Sequence, residues 1–420
     1  MKYYLVGIKG TGMAALACYL KQEGNFVIGS DINKRYFTEE SLKNNNITIL
    51  NYDKANITEE YVYIIGLSIN TNNIEFSRIL EKGYQYFYYN EFIGNIEKEM
   101  ICISGTHGKT STTSFLFQLG QGNISAIIGD GTGYSNIYNK HIVVESCEYK
   151  NHFLKYHPKL GVILNIELDH PDFFKNIYSV INSFQLFSNN CQMLLVNGDD
   201  LNIRKIKHIN KISFGFNKNN DYIIKIINKN KEGYLINISG NNLNINYQAL
   251  PGIHNIYNLS AAIISLFLLK IKISDMNITL PKRRMSEERI YNTIIIDDYA
   301  HHPTEIRSLL ESVKQKYSDY KIYCIFQSHT YSRTIRFKKE FKKVFKMVDD
   351  IYLRDVFSSS RENVDIKKQA KVNRYFKRYK KYHSSIFKDI DYSLKNVILI
   401  VGATPSDEVI NDIKKIYENE

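Results

Sequence analysis

The chain has 420 residues, more than one ordinary hydrophobic core accommodates and enough for two or three domains. Its apolar share of 44% is that of a globular protein, the apolar run 259–269 is too short to span a bilayer, and five scattered cysteines without a Cys-x-x-Cys pair exclude a disulfide framework or a zinc site. The formal charge of +12 raises nucleic-acid binding, but no base-reading element accompanies the basic stretch 367–385. In 336–346, Phe337, Phe341, Val344 and Phe345 follow helical spacing, so the lysines between them form a solvated face. The N-terminus enters a strand directly, without a signal-peptide apolar region, so a cytoplasmic protein is expected, with neither nucleic acid nor membrane as partner.

The first segment, residues 1–95, alternates strand and helix. "KYYLVGI" and "FVIGSD" are strands around the helix "GTGMAALACYLKQEG", and "YVYIIGLSI" precedes the helix "NIEFSRILEKG". That order predicts a parallel sheet with crossover helices. The first turn, "GIKGTGM", carries Gly7, Gly10 and Gly12, and Asp31 ends the second strand. The spacing departs from G-x-G-x-x-G, so two readings stand: an anion site at a helix N-terminus with Asp31 near a sugar or base, or glycines kept for a tight turn.

The second segment, 96–280, opens with "MICIS", "GTHGKTST" and "SFLFQLG": a buried strand, a glycine turn and a helix. Backbone N–H groups and the helix dipole converge there on an anion, Lys109 adds a point charge, and the Thr110 hydroxyl suits Mg²⁺. The loop is a tightened P-loop, and ATP phosphates are its expected ligand. The lysine, at the loop mouth, is expected to contribute little to folding. Two further strands end in Glu145 and in Asn165, Glu167, Asp169 and His170, which parallel topology turns toward the same crevice. His170 is either a ligand there or a structural histidine. The Asn-rich stretch 211–248 reads as an antiparallel elaboration, and a helix begins near Asn255, whose amide either caps that helix or meets a base edge with Asn258.

The third segment, 281–420, alternates again, with Pro303 near a helix start. Asp298, His301, His302, His329 and Arg333 all fall at strand exits, hence on one rim.

Five patterns in order, "GIKGTGM", "GTHGKTSTT", "VVESCEY", "PGIHNIYN" and "DDYAHHPTEI" with "HTYSRT", resemble the Mur ligase family over nearly the whole chain. The resemblance implies an α/β protein of three domains. These are an N-terminal Rossmann-like UDP-binding domain (1–95), a central P-loop ATPase domain with a parallel sheet (96–280) and a C-terminal Rossmann-like α/β domain for amino acid and nucleotide (281–420). It implies an ATP-dependent carboxylate–amine ligase of peptidoglycan precursor synthesis that activates UDP-N-acetylmuramate as an acyl phosphate for attack by L-alanine. A tripeptide acceptor, or a Mur-like ATP-binding regulator that no longer ligates, are the alternatives. The chain is expected as a monomer or homodimer. By resemblance, Gly105, Thr106, His107, Gly108, Lys109, Thr110, Ser111, Asn255, Arg284 and Asp298 hold ATP. Thr110, Glu145 and His170 hold Mg²⁺, and Gly10, Thr11, Gly12, Asp31 and Ser68 hold the UDP-substrate. Tyr299, His301, His329 and Arg333 take the amino acid, and Lys109, His301 and Arg333 are catalytic. Lys9 and Ala15 replace glycines usual in the first loop, and Thr330 stands where many relatives have arginine.

Overall fold

A computed structural model of the protein describes residues 1–358, 362 and 366–417. The first sheet is built from β1 (Lys2–Val6), β2 (Phe26–Asp31), β3 (Thr48–Asn51), β4 (Val62–Ile65) and β5 (Tyr86–Tyr88), with α1 (Thr11–Gln22), α2 (Glu39–Asn44) and α3 (Ile74–Lys82) as crossovers. Its order is β3-β2-β1-β4-β5 and every pair is parallel. The strand order reverses between β1 and β4, and a ligand crevice opens at such a switch point. Gly10 ends the turn after β1 and Thr11 and Gly12 open α1, the exposed Ser68 follows β4, and Asp31 ends β2 beside them.

Helix α4 (Tyr89–Gly94) leads into a ten-stranded sheet of order β15-β14-β13-β12-β11-β10-β6-β9-β7-β8. Its strands are β6 (Glu99–Ser104), β7 (Ser125–Ile127), β8 (Gly133–Tyr134), β9 (His141–Glu145), β10 (Leu160–Ile163), β11 (Met193–Asn197), β12 (Lys211–Gly215), β13 (Tyr222–Asn230), β14 (Gly233–Gly240) and β15 (Leu243–Ala249). Three helices cover it: α5 (Lys109–Gly120), α6 (Ile177–Asn189) and α7 (Ile253–Leu268). β6 lies between β10 and β9, all parallel, so the phosphate turn, Glu145 and the 164–170 segment leave the same edge. β6 and β10 are buried on both faces, which is why they read as unbroken apolar runs. The helical face expected of "SFLFQLG" packs as Phe115, Leu116 and Leu119 into a core with Ile101 and Ile103. The Asn-rich stretch divides: β12 pairs parallel with β11, and the antiparallel meander begins only at β13.

The third sheet, β16-β17-β21-β18-β19-β20, comprises β16 (Ser286–Ile290), β17 (Thr293–Asp298), β18 (Lys321–His329), β19 (Asp350–Phe357), β20 (Lys380–Lys381) and β21 (Asn396–Val401). Around it lie α8 (Pro303–Lys316), α9 (Tyr331–Arg336), α10 (Lys338–Val344), α11 (Ile366–Phe376) and α12 (Asp407–Tyr417). All pairs are parallel except β16 with β17. β16 is an antiparallel edge not anticipated from the alternation; its exposed Glu287, Glu288 and Arg289 discourage pairing with another chain. Pro303 is the first helical residue of α8, and His302 and Glu305 form its capping box.

The three units meet through specific polar contacts. Gln22 of α1 bonds Gly133 O and Ser135 N of the central unit at 3.2 and 2.9 Å. Thr304 of α8 donates to Glu167 at 2.7 Å, and Arg333 of α9 grips Asp169.

Candidate active site

Between β6 and α5 the chain turns through Gly105 and Gly108, the latter at φ +83°. A Cβ at Gly108 would lie 2.5 Å from Asn258 Oδ1, so glycine is required there by conformation and by the close approach of α7. Lys109 is the first residue of α5, and its ammonium is folded inward. It donates to Gly105 O (2.5 Å), Thr106 O (3.2 Å) and Glu148 Oε2 (3.0 Å), and Glu148 is 2% exposed. Burial alone would lower the lysine pKa, but the negative field of Glu148, Cys147 and Glu145 raises it, so the charge is secure. This corrects the expectation of a lysine with little bearing on folding: its removal leaves Glu148 a buried, unpaired carboxylate.

The three expected metal ligands form two adjacent groups. Thr110 Oγ1 donates to Glu145 Oε2 at 2.8 Å. His170 Nε2 lies 3.7 Å from Glu148 Oε1 and 3.9 Å from Asp169 Oδ2, with its ring against Tyr149. His170 sits at φ +51°, a costly backbone for a non-glycine residue, at the strand exit. Burial lowers its pKa, with Arg333 and Lys109 adding to the effect against Asp169 and Glu148, so the imidazole is neutral and able to ligate. Two features suit a hard cation. Glu148 Oε1 is buried without a hydrogen-bond partner, and a Cβ at Gly129 would lie 2.0 Å from Glu145 Oε2, so the glycine leaves the carboxylate its room. Glu148, which the expected ligand set did not include, lies between Lys109 and His170.

Beyond the loop lies a pocket of about 230 Å³ whose lining includes His254, Asn255, Asn258, Arg284 and Asp298. Asn255 Nδ2 donates to Pro251 O at 2.7 Å, while its Oδ1 is buried without a partner. An amide anchored at one end and open at the other suits an exocyclic amino group of a base. Of the two adjacent arginines, Arg283 is committed to Asp297 (3.0 Å) and Gly402 O (2.8 Å). Arg284 lines the pocket, with only a 3.8 Å pairing to Glu305 and its guanidinium over the Tyr299 ring. Asp298 has its pKa raised to about 6 by burial, against Arg284 and the N–H groups of Ala300 and Met285. It accepts from both N–H groups at 2.7 Å, so it shapes the pocket wall. His107, expected among the ATP ligands, lines the same pocket and places its ring between Glu167 of the central unit and Glu305 of the third. Its Nε2 lies 3.5 Å from Glu167 and its Nδ1 3.4 Å from Glu305, and although burial opposes the charge these carboxylates raise its pKa to about 9. His302 stands 4.8 Å away, ring to ring. His107, Glu167 and His302 bring potential ligand atoms within 4.8 Å of one another. However, His302 Nδ1 accepts from Thr304 N, which places the proton on Nε2 and suits a proton-bearing junction better than a metal cage.

The amine end differs from expectation at Arg333. The resemblance assigns Arg333 to the amino acid. Nε and Nη2 instead hold Asp169 at 2.9 and 3.2 Å, Nη1 meets His329 Nδ1 at 3.0 Å, and Arg333 is 3% exposed. The physical reason is docking between units: Asp169 lies 164 residues away in sequence and at the facing edge of another sheet. Beside it, His301 Nδ1 is 3.0 Å from Tyr299 O. A carbonyl only accepts, so Nδ1 bears the proton and Nε2 keeps its lone pair. Burial lowers the His301 pKa to about 4, with Arg333 acting in the same direction. The His301 and His329 rings are 5.6 Å apart.

In the first unit, Asp31 accepts from Lys9 N and Ile32 N, both at 2.8 Å. Lys9, which replaces a glycine of the resembling pattern, turns away from the rim: its ammonium donates to Ile32 O (3.1 Å) and Lys34 O (2.8 Å) and pairs with Glu39 (3.0 Å). It is a buried clasp on the segment after β2. The start of α1 has no side-chain cap, which leaves its N–H groups for an anion.

Three family models match the chain: "Mur ligase family, catalytic domain" over residues 2–99, "Mur ligase middle domain" over 103–266 and "Mur ligase, glutamate ligase domain" over 283–404. A UDP-N-acetylmuramate–L-alanine ligase of Streptococcus agalactiae is 38% identical over 374 residues, covering 86% of this chain and 84% of that one. Among solved structures, a UDP-N-acetylmuramate–alanine ligase from Thermotoga maritima superimposes with a TM-score of 0.79 at 22% identity, over 100% of this chain and 99% of the other. A murein peptide ligase from Psychrobacter arcticus does so with a TM-score of 0.72 at 18% identity, over 99% and 98%.

Proposed function

The chain belongs to the Mur ligase family, and from that premise we propose that it joins L-alanine to the carboxylate of UDP-N-acetylmuramate at the expense of ATP. The observation that carries this reading is the 38% identity to L-alanine ligases over 86% of the chain, with His107, Gly108 and Ser111 of the phosphate loop in the wall of the pocket that Asn255 and Arg284 also line. We assign the UDP-substrate to residues 1–95, ATP to 96–280 and the amino acid to 281–420.

A carboxylate is a poor electrophile, and transferring a phosphoryl group to it forces anionic oxygens together. Lys109 neutralises part of that charge from a fixed position, and the N–H groups at the start of α5 add to it. Thr110, Glu145 and His170, with Glu148 beside them, would hold Mg²⁺, which screens the same oxygens. Asn255 and Arg284 orient the nucleotide. At the other end, Arg333, its fork held by Asp169, supplies the positive charge that faces the carboxylate of alanine, and neutral His301 accepts a proton at Nε2 as the amine attacks. Tyr299 and His329, whose rings flank that of His301, stand beside the amino acid. A tripeptide needs contacts for two more residues, and the amine end has Thr330 where an additional arginine would extend the rim. No helix among the described residues is long and apolar enough to cross a membrane, and the reading places a monomeric or dimeric enzyme in the cytoplasm.

Phosphate release with UDP-N-acetylmuramate and L-alanine, glycine, L-serine or an L-alanine-initiated tripeptide in turn tests the assignment. L-Alanine is expected to support turnover best. Equal or faster release with the tripeptide at matched subsaturating concentration would make the protein a peptide ligase.

A further inference from the structure

Tyr89 opens α4, the helix between the first and central sheets. The helix is seated on the central unit: Asn90 Nδ2 donates to His152 O at 3.3 Å, and a Cβ at Gly94 would lie 2.4 Å from Lys155 O. The Tyr89 ring reaches back to the first unit. A Cβ at Gly12 would lie 2.7 Å from its oxygen and 2.8 Å from Cζ, so the phenol is in contact with the uncapped start of α1. Burial first, then the charges of Glu145 and Cys147, raise its pKa, so the ring also stands within the field of the magnesium-side carboxylate and keeps its proton.

Its hydroxyl has no acceptor among the described residues and, unlike Glu148 Oε1 or Asn255 Oδ1, is open to solvent or a ligand. Among the described residues, no hydrogen bond reaches it. Other tyrosines placed between elements are satisfied: Tyr4 bonds Glu75 at 2.9 Å, Tyr63 bonds Thr58 O at 2.5 Å, Tyr234 bonds Gln315 at 2.7 Å and Tyr247 bonds Ser274 O at 3.0 Å. A hydroxyl kept protonated and left unpaired between an anion-binding helix start and a carboxylate-activating centre serves a ligand that spans both.

We infer that Tyr89 is a substrate-binding residue, its hydroxyl donating to UDP-N-acetylmuramate where that molecule passes from the start of α1 to the phosphate loop. The inference rests on the substrate proposed above, since only a ligand with its diphosphate at Gly10–Gly12 and its carboxylate near Thr110 and Glu145 crosses this position. It also gives Gly12 a second function: any side chain there pushes the phenol out of line.

Tyr89→Phe keeps the ring and removes the donor. In steady-state assays with each substrate varied, its KM for UDP-N-acetylmuramate should rise about three- to tenfold, the value of one neutral hydrogen bond. Its kcat and its KM for ATP and L-alanine should stay within about twofold, on the order of what a conservative change leaves untouched. Calorimetric titration of UDP-N-acetylmuramate without ATP should show the same loss, and Gly12→Ala should move KM in the same direction. A KM and Kd within about twofold of wild type for Tyr89→Phe, whether or not its melting temperature falls, would overturn the inference and leave the hydroxyl a packing group. Absence of turnover by the wild-type protein with UDP-N-acetylmuramate would instead overturn the substrate assignment itself, so the two failures are distinguishable.

Discussion

The two ends of the catalytic cleft are built on different principles. At the phosphate end, the functional groups are positioned by the turn that carries them: Lys109 bonds Gly105 O and Thr106 O, and Thr110 meets Glu145 at the end of a neighbouring strand in the same sheet. At the amine end, Arg333 takes its geometry from Asp169 of another sheet, and between the two ends His107 of the phosphate turn takes its charge from Glu305 of the third unit. The Lys109 and Thr110 contacts lie within the central unit, whereas the Arg333–Asp169 and His107–Glu305 pairs exist only while the units are docked.

The largest effect expected from breaking this contrast lies at the phosphate end. Lys109→Ala should lower kcat/KM by about a thousandfold, the scale of a lost charge clamp in a water-poor site. It should also lower the melting temperature, because Glu148 is left buried and unpaired. The double variant Lys109→Ala/Glu148→Gln should recover the melting temperature and none of the activity. Recovery of both would show that the lysine is structural.

At the amine end, Arg333→Lys keeps the charge and loses the fork. Its KM for L-alanine should rise at least about tenfold while the KM for ATP stays within about twofold. Equal changes in both would mean that docking, not recognition, is what the arginine supplies. The phosphate end gives a subtler counterpart. Glu145→Gln should shift the magnesium titration of activity upward several-fold, roughly the effect of weakening one hard-cation ligand. An unchanged titration would transfer that function to Glu148, whose unpartnered oxygen lies 3.7 Å from His170.

The same contrast explains what was legible in the sequence. Alternating apolar runs and glycine turns are local, so the parallel sheets and the strand-exit clusters follow from spacing, as does Pro303 at the start of α8. The approach of Gly108 to Asn258 and the unpartnered amide oxygen of Asn255 are consistent with the phosphate and base ends expected from their motifs. What spacing does not encode is which charge faces which across a boundary. Glu148 reads as a neighbour of Glu145, yet only three-dimensional packing reveals it as the partner of Lys109. Lys9 reads as a cation in an anion loop, and only the fold shows its ammonium turned onto Ile32 O, Lys34 O and Glu39. Glu305 did carry a signal, since it stands at the third position of a capped helix, but that spacing predicts a capping carboxylate and is silent about His107.

The smallest expected effect isolates docking from chemistry. His107 lies between Glu167 of the central unit and Glu305 of the third, and its pKa of about 9 exceeds the unfolded value near 6.5. A group whose folded pKa is raised contributes its stabilisation in full below the unfolded pKa and loses it as pH climbs through the folded one. The junction should therefore be firm at pH 6.5 and weaken progressively toward pH 9, where the imidazolium deprotonates between two carboxylates. Neighbouring His301 and His302, with pKa values lowered to about 4, are neutral in the folded protein throughout this window; because they take up protons on unfolding near pH 6.5, they add only a small opposing slope at its acid end. Thermal melting in constant ionic strength should show the midpoint falling by a few degrees between these limits, roughly the shift a domain of this size gives per kcal/mol. His107→Gln should flatten that fall, starting lower at pH 6.5 and converging with the wild type near pH 9. A wild-type slope that persists undiminished in His107→Gln would place the titrating group elsewhere, and would separate the docking of the third unit from the histidine that the phosphate turn presents to it.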